Sequence, residues 1–367
     1  MSLTVHDLRR FAVARSLFPA TTLGRAVDVF GFVQADPIRA PARAQDLTLR
    51  HRVSGYRAGD LERHYASLGI EEDVFVNYGF VTRAVQAHMH PRRGSWTASQ
   101  RKRVAAILDF VRARGTAHPR DVDVHFAHGT ITNYWGGSSN ATTRLLELMH
   151  YHGLLRVVRR DVGIRVYGAQ QLAQPADGPT DRIERLDALV DVAVHTYAPL
   201  PGANLSNLIA RLRYAVPHWR PHLTRALQRA RQRLAHAQVD GIDWYWPSGE
   251  PTNIETTADR VRLLAPFDPV VWDRRRFEMF WGWAYRFEAY TPLAKRVRGY
   301  YALPLLWRDR VIGWANVSVN RSALHVDAGY VTGRAPRDAA FKPALEEELE
   351  AMRHFLGITP HDPESAG

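Results

Sequence analysis

Asn140-Ala-Thr-Thr-Arg-Leu-Leu-Glu-Leu-Met-His-Tyr-His152, then Gly153-Leu-Leu-Arg-Val-Val-Arg-Arg160, Asp161-Val-Gly163 and Ile164-Arg-Val-Tyr-Gly168, form the stretch whose reading decides the fold. The first segment reads as a helix ended by Gly153. The β-rich runs on either side of the Asp161–Gly163 turn read as a hairpin. Just upstream, residues 99–114 carry Val104, Ile107, Leu108 and Val111 at helical spacing, and Pro119-Arg-Asp-Val begins a second, shorter helix. Three helices followed by a basic two-stranded hairpin is the winged-helix arrangement. Arg144 on the third helix and Arg156, Arg159, Arg160 and Arg165 on the wing are then placed to reach phosphates. The same arrangement also serves protein contacts.

Outward from this module the order repeats. The polar stretch Gln170-Gln-Leu-Ala-Gln-Pro-Ala-Asp-Gly-Pro179 marks a boundary. Behind it, helices over 181–196, 204–214 and 218–237 and the strand-like Gly241-Ile-Asp-Trp-Tyr-Trp246 suggest a third, winged-helix-like unit. The repeat is architectural, without residue-level self-similarity. The first ninety residues read as helices. Thr4 caps one through Leu17, Thr22 caps another over 23–33, and a third over 38–52 carries Arg39, Arg43, Arg50 and Arg52, as in a helix-turn-helix core. From Arg260 the pattern becomes aromatic alternation in three runs, Arg298–Trp307, Arg310–Val319 and Ala323–Val331. These predict antiparallel strands turning at Arg308-Asp309 and Asn320-Arg321-Ser322. A helix over 338–355 closes the pattern, its Glu346-Glu-Glu-Leu-Glu350 run read as a solvated face.

The 367 residues are 46% hydrophobic and 23% charged, which suits a globular chain and rules out disorder, collagen and coiled coil. The absence of cysteine removes disulfide scaffolds, thiolate metal sites and cysteine nucleophiles, and fits a cytosolic location. Lys and Arg number 49 against 37 Asp and Glu, a net charge of +12 that points to a polyanionic partner, most often nucleic acid. Only three of the basic residues are lysines (Lys102, Lys295, Lys342), so a GC-rich genome is an alternative source of the excess. No run reaches the roughly 18 apolar residues of a membrane span, and the first ten residues lack an apolar signal core, so a soluble, untargeted protein is expected.

Gln34-Ala-Asp-Pro37 is the most informative short segment. Pro37 pushes Asp36 out of the α region, and in extended chain residues i and i+2 face one side, so Gln34 and Asp36 can converge. A carboxylate beside a helix C-terminus lacks macrodipole support, which raises its pKa and suits it to accepting a proton. The alternative is a helix stop with an Asx turn. Elsewhere, His88-Met-His90 and His150-Tyr-His152 lack the spacing of an HExxH zinc site. There is no Walker loop, GxGxxG or GxSxG, and Trp135-Gly-Gly-Ser-Ser139 reads as a turn. Trp272-Asp-Arg-Arg-Arg-Phe277 either holds phosphate through Arg274, Arg275 and Arg276 or is a solvated basic helix start. Lys295-Arg-Val-Arg298 beside Tyr300 and Tyr301 mixes charge and aromatics as nucleic-acid surfaces do.

Leu264-Ala-Pro-Phe-Asp-Pro-Val-Val-Trp-Asp-Arg274, Tyr285-Arg-Phe-Glu-Ala-Tyr-Thr-Pro292 and Lys295-Arg-Val-Arg-Gly-Tyr-Tyr-Ala-Leu-Pro-Leu-Leu306, in this order and spacing, closely resemble the C-terminal signature of the winged-helix DNA glycosylases of the AlkZ/YcaQ type. Val33-Gln-Ala-Asp36, Arg43 and Arg50-His-Arg-Val-Ser-Gly-Tyr56 resemble that family's Gln-x-Asp motif and the helix after it, and residues 133–169 its central winged helix. The segment Glu71-Glu-Asp-Val-Phe-Val-Asn-Tyr-Gly79 departs from the family's Trp-x-His-Glu-Ala-like stretch, and Gly313-Trp-Ala-Asn-Val-Ser-Val-Asn-Arg321 from its Asp and Lys after the hairpin.

The resemblance implies a mainly α fold with β (α+β), tandem winged-helix units followed by a C-terminal antiparallel β-barrel-like domain. The implied boundaries are 1–95, 96–172, 173–255 and 256–367. It implies excision of alkylated purines, N7-alkylguanine above all, and unhooking of interstrand crosslinks in duplex DNA. Gln34 and Asp36 would be catalytic; Arg39, Arg43, Arg50, His51, Arg144, Arg156, Arg159, Arg160, Arg165, Lys295, Arg296 and Arg298 would meet DNA. No metal, flavin or nucleotide is required. The expected protein is a monomeric, monofunctional hydrolase of the bacterial cytoplasm, associated with the nucleoid. A non-catalytic winged-helix regulator is the rival reading; it would discriminate among undamaged sequences, and no heptad suggests the dimer such proteins use to match two half-sites.

Overall fold

The computed structural model describes residues 3–92, 94, 96–127, 129–132, 138–171, 178–254, 258–321 and 323–358. Residues 135–137 of the expected Trp135–Ser139 turn, 172–177 of the linker and Ser322 of the last turn lie outside these. The chain is mixed α and β, with small antiparallel sheets, and packs as two units: residues 1–61, 191–208 and 229–367, and residues 62–190 and 209–228.

In the second unit the deciding stretch folds as read. Thr97 caps the helix Ala98–Arg114, Pro119 opens Pro119–Phe126, and the Asn140 side chain caps Ala141–Tyr151. The strands Leu155–Asp161 and Ile164–Ala169 form the hairpin, and a short strand, Thr116–Ala117, pairs with the second of them. Val104, Ile107 and Val111 meet Leu145, Leu146 and Met149 in the core beneath, which is why the helical spacing was informative. Contrary to the all-helical reading of the first ninety residues, Ile70–Val74 and Tyr78–Thr82 make an antiparallel hairpin.

The order helix, short strand, two helices, hairpin recurs in Pro179–Tyr197, Leu200–Pro201, Gly202–Arg211, Leu223–Arg233, Ala235–Val239 and Ile242–Trp246. Again the short strand pairs with the last one. The helix expected to reach residue 237 stops at Arg233, because residues 235–239 are taken into the ladder opposite Ile242–Trp246.

In the first unit Thr4 caps Val5–Ser16 reciprocally with Asp7, and Thr22 caps Leu23–Phe30. The helix expected over 38–52 is confined to Ala44–Leu49. Val261–Leu263, Leu303–Trp307, Arg310–Asn320 and Ala323–Tyr330 pair antiparallel in chain order. This meander is open, and no closed barrel occurs among the described residues. The last helix, Phe341–Leu356, does not present all its glutamates to water: Glu348 is buried, where its Oε1 accepts from the Leu263 amide at 2.8 Å and from Arg50.

Candidate active site

Gly31 adopts the left-handed conformation (φ 65°) and ends the second helix, its N–H bonding to Val27 O at 2.9 Å. Phe32 and Val33 then run as strand Phe32–Gln34 instead of continuing the helix to residue 33, and both are buried. This anchors the backbone and leaves Gln34 half-buried at the strand end. The Trp272 indole Nε1–H donates to Gln34 Oε1 at 2.9 Å, fixing which end of the amide faces the ring.

Two residues on, Asp36 is also half-buried. Its Oδ1 accepts from the Ile38 amide at 2.9 Å, the Asx turn raised as an alternative, and its own N–H donates to Gln45 Oε1 at 3.3 Å. Oδ2 accepts no hydrogen bond among the described residues. Desolvation raises the Asp36 pKa, and the Ile38 amide only partly opposes it. The expected direction therefore holds, but burial causes it; the helix terminus lies at Phe30, with a strand between.

An aromatic wall stands within electrostatic reach of this carboxylate. Burial first, and the Asp36 charge second, raise the pKa values of Tyr290 and Tyr301. Phe287 joins them, its ring centroid 5.9 Å from Tyr290 and 5.3 Å from Tyr301, with Phe267 at 5.0 Å.

The C-terminal signature frames these groups. Asp268 meets Arg52 in a bidentate pair at 2.7 and 2.9 Å, both side chains 0% exposed, tying the Phe-Asp-Pro turn to the chain after Ala44–Leu49. Asp273 caps Arg274–Trp281. Arg276 is buried and donates to the carbonyls of Tyr197, Pro199, Pro269 and Val270, and Arg274 donates to those of Val271 and Pro266. Of the three arginines weighed as a phosphate site, only Arg275 is exposed. Glu288 Oε2 accepts from the amides of Val297, Arg298 and Gly299 at 3.0, 2.8 and 3.3 Å, closing residues 288–299 into a loop. That loop exposes Tyr290, Leu293 and Val297, each at least 75%.

The expected DNA-contacting residues divide into two sets. Arg39, Arg144, Arg159 and Lys295 are exposed, Arg159 pairing with Asp161 at 3.0 Å and Arg144 with Glu147 at 3.5 Å. Arg43 is half-buried at the N-cap of Ala44–Leu49. Arg296 lies 5.0 Å over Tyr300, and Arg298 between Trp283 and Trp314 at 5.1 and 5.4 Å. The others are engaged internally. Arg50 pairs with Glu348. His51 bonds Leu263 O at 3.0 Å and is held neutral by burial. On the Leu155–Asp161/Ile164–Ala169 hairpin, Arg156 grips Glu71 at 2.6 Å, Arg160 grips Glu72 at 2.6 Å, and Arg165 reaches Glu72 at 3.2 Å. Burial alone would raise the Glu72 pKa, and Arg160 more than offsets it. The segment that departs from the family stretch thus includes the strand that neutralises the arginines of this hairpin.

Sequence reasoning quoted Trp272, Glu288 and Tyr290 within motifs without assigning them roles. Their common signal was position in the signature; their partners lie up to 238 residues away. No solved structure matches the chain. A family model described as AlkZ-like, DNA glycosylase AlkZ-like, matches residues 27–355.

Proposed function

The chain belongs to the AlkZ-like DNA glycosylase family, and from that premise we propose that it hydrolyses the N-glycosidic bond of N7-alkylated purines in duplex DNA at Gln34 and Asp36. The observation that carries the reading is the half-buried Asp36 carboxylate, one oxygen held by Ile38 and the other unbonded among the described residues, two residues from an amide fixed by Trp272.

N7 alkylation makes the base cationic, so when the C1′–N9 bond breaks the electron pair neutralises the departing purine and little acid catalysis is required. The sugar develops oxocarbenium character, as in glycoside hydrolysis, and a nearby carboxylate stabilises it. A water oxygen then bonds to C1′ and gives its proton to Asp36, with Gln34 orienting the water. Water as the nucleophile makes the enzyme monofunctional. The raised pKa fits a group that accepts this proton. Interstrand crosslinks joined through N7 present the same leaving group, so they belong to the same substrate class.

Duplex would be held by winged-helix-like units and by residues 288–299. Exposed Tyr290, Leu293 and Val297 beside Lys295 match the apolar wedges with flanking cations that enter the minor groove. Arg39 would supply a further phosphate contact. The test is incubation with duplex containing N7-methylguanine, followed by assay for abasic sites. Release by wild type and its loss in Asp36→Ala and Gln34→Ala is expected. No release on methylated or crosslinked DNA refutes the activity, and release unchanged in both variants refutes the site.

A further inference from the structure

The Leu155–Asp161/Ile164–Ala169 hairpin turns through two residues, Val162 and Gly163, between the paired Asp161 and Ile164. Both lie in the left-handed region, at φ 49° and 85°, as a two-residue turn of this kind requires. Glycine accepts that backbone freely, but in an L-residue the Cβ crowds the following carbonyl oxygen, and branching at Cβ makes the crowding worse. Among the described residues Val162 is the one β-branched residue with positive φ. The chain itself shows the alternative. The hairpin Ala235–Val239/Ile242–Trp246 makes the same two-residue turn, at φ 50° and 75°, with Asp240 and Gly241. An Asp or Asn side chain bonds its local backbone and tolerates this conformation. The turn therefore gains nothing from a valine at 162.

Nor does packing account for it. Val162 is fully exposed, and Ile164, two residues on, is 49% exposed. The turn beneath them is braced. Arg160 donates to the Gly163 carbonyl at 2.7 Å while gripping Glu72 at 2.6 Å, and Arg159 makes a two-pronged pair with Asp161 at 3.0 and 3.1 Å. An apolar point is thus held out in water, at a conformational cost, on a support that fixes its position.

We propose that the Val162–Ile164 tip is a wedge that enters the minor groove of bound duplex DNA and unstacks a base step. The inference rests on the DNA-acting reading of the chain. Two observations select this partner. A stable protein interface buries about 800 Å² on each side, for which two aliphatic side chains are too few, whereas one or two suffice between base pairs. Residues 96–169, which carry the tip, also hold eleven Arg and Lys against five Asp and Glu, so this module stays basic even with Glu71 and Glu72 set against it. Because Arg156, Arg160 and Arg165 are occupied by those two glutamates, the hairpin meets DNA through its tip and not through phosphate contacts.

The test uses the full chain and an undamaged duplex carrying several 2-aminopurines, whose fluorescence rises when a step is unstacked. Affinity is read by anisotropy of the labelled duplex and stability by urea titration. Val162→Asn installs a residue that the turn favours and removes the wedge. It should raise the urea midpoint, weaken duplex binding about tenfold and abolish the fluorescence rise. Since that variant is the more stable protein, its lost binding is not misfolding. Val162→Ile keeps an apolar tip and should bind as wild type does. If wild type binds and brightens the duplex and Val162→Asn matches it within twofold, the wedge is overturned and the DNA reading stands. A lowered midpoint in Val162→Asn also overturns the wedge, because valine would then serve the fold. Binding by wild type without a rise in fluorescence overturns it as well. If wild type binds no duplex, whether methylated, crosslinked or undamaged, the glycosylase reading falls and the wedge with it.

Discussion

Trp272→Phe isolates the bond that orients Gln34. The indole makes one hydrogen bond to Gln34 Oε1, at 2.9 Å, and packs against Tyr197 with ring centroids 4.4 Å apart. Phenylalanine keeps an aromatic ring on Tyr197 and deletes the N–H. A neutral hydrogen bond contributes a net ~0.5–1.5 kcal/mol, and because Gln34 is only half-buried, water can partly replace the lost donor. Global stability should therefore fall by less than about 1 kcal/mol. The catalytic effect should be larger relative to this, since an amide free to turn no longer presents one end to the attacking water. A loss of about 1.4 kcal/mol of transition-state stabilisation is a tenfold slower single-turnover excision. The decisive assay is the double-mutant cycle. If the indole acts through Gln34, then Trp272→Phe on a Gln34→Ala background costs nothing further. Fully additive losses, or a single mutant within twofold of wild type, would refute the positioning role. A collapse of the urea midpoint would show that Trp272 is core packing instead.

Three further outcomes follow from the geometry. Asp36→Asn should cut excision at least about a hundredfold while preserving duplex affinity; because burial raises the Asp36 pKa and the carboxylate is the active form, wild-type rates should fall as pH drops through a value above the ordinary ~3.9, measured as the acid limb of the single-turnover profile. Asp268→Ala strands the fully buried Arg52 charge and should lower unfolding free energy by about 3–5 kcal/mol in urea titration. Lys295→Ala should flatten the slope of log affinity against log salt by up to ~0.9, whereas Arg160→Ala should leave that slope alone and lower stability instead, since Arg160 is occupied by Glu72.

What was legible in the sequence is what short-range chemistry decides. Thr4, Thr22 and Asn140 bond amides three residues on, Gly31 and Gly153 need a left-handed backbone, and the 99–114 helix shows its buried face in its spacing. Even here Gly31 carried a signal that the long-helix reading passed over. The Ile70–Val74 hairpin strand was hidden because Glu71, Glu72 and Asp73 are poor strand formers. They are tolerated there because Arg156, Arg160 and Arg92 neutralise them from 19 to 88 residues away. The same distance effect misled the reading of Glu348, whose partner Arg50 is 298 residues removed. At the candidate site, the Asx turn at Asp36 was legible because Pro37 is a local constraint. Trp272 and the Glu288 clasp were not, because each exists only once distant segments meet.

The internal pairs also change what the net charge means. An arginine bonded to a buried carboxylate removes one charge of each sign from the surface, so pairs such as Arg52–Asp268, Arg50–Glu348, Arg156–Glu71 and Arg160–Glu72 leave the +12 total on the remaining residues. Fewer exposed groups then carry the same excess, and their surface is more basic in proportion than the composition suggests. Arg276, bonded to carbonyls and lowered to about 10 by burial, is an exception that keeps its charge inside. Arg156 and Arg160 therefore support a polyanion surface indirectly: they consume acids that would otherwise repel phosphate. Cutting such a pair from the acidic side should not improve DNA binding in proportion to the charge gained, because the freed guanidinium comes at the cost of the strand that positions it.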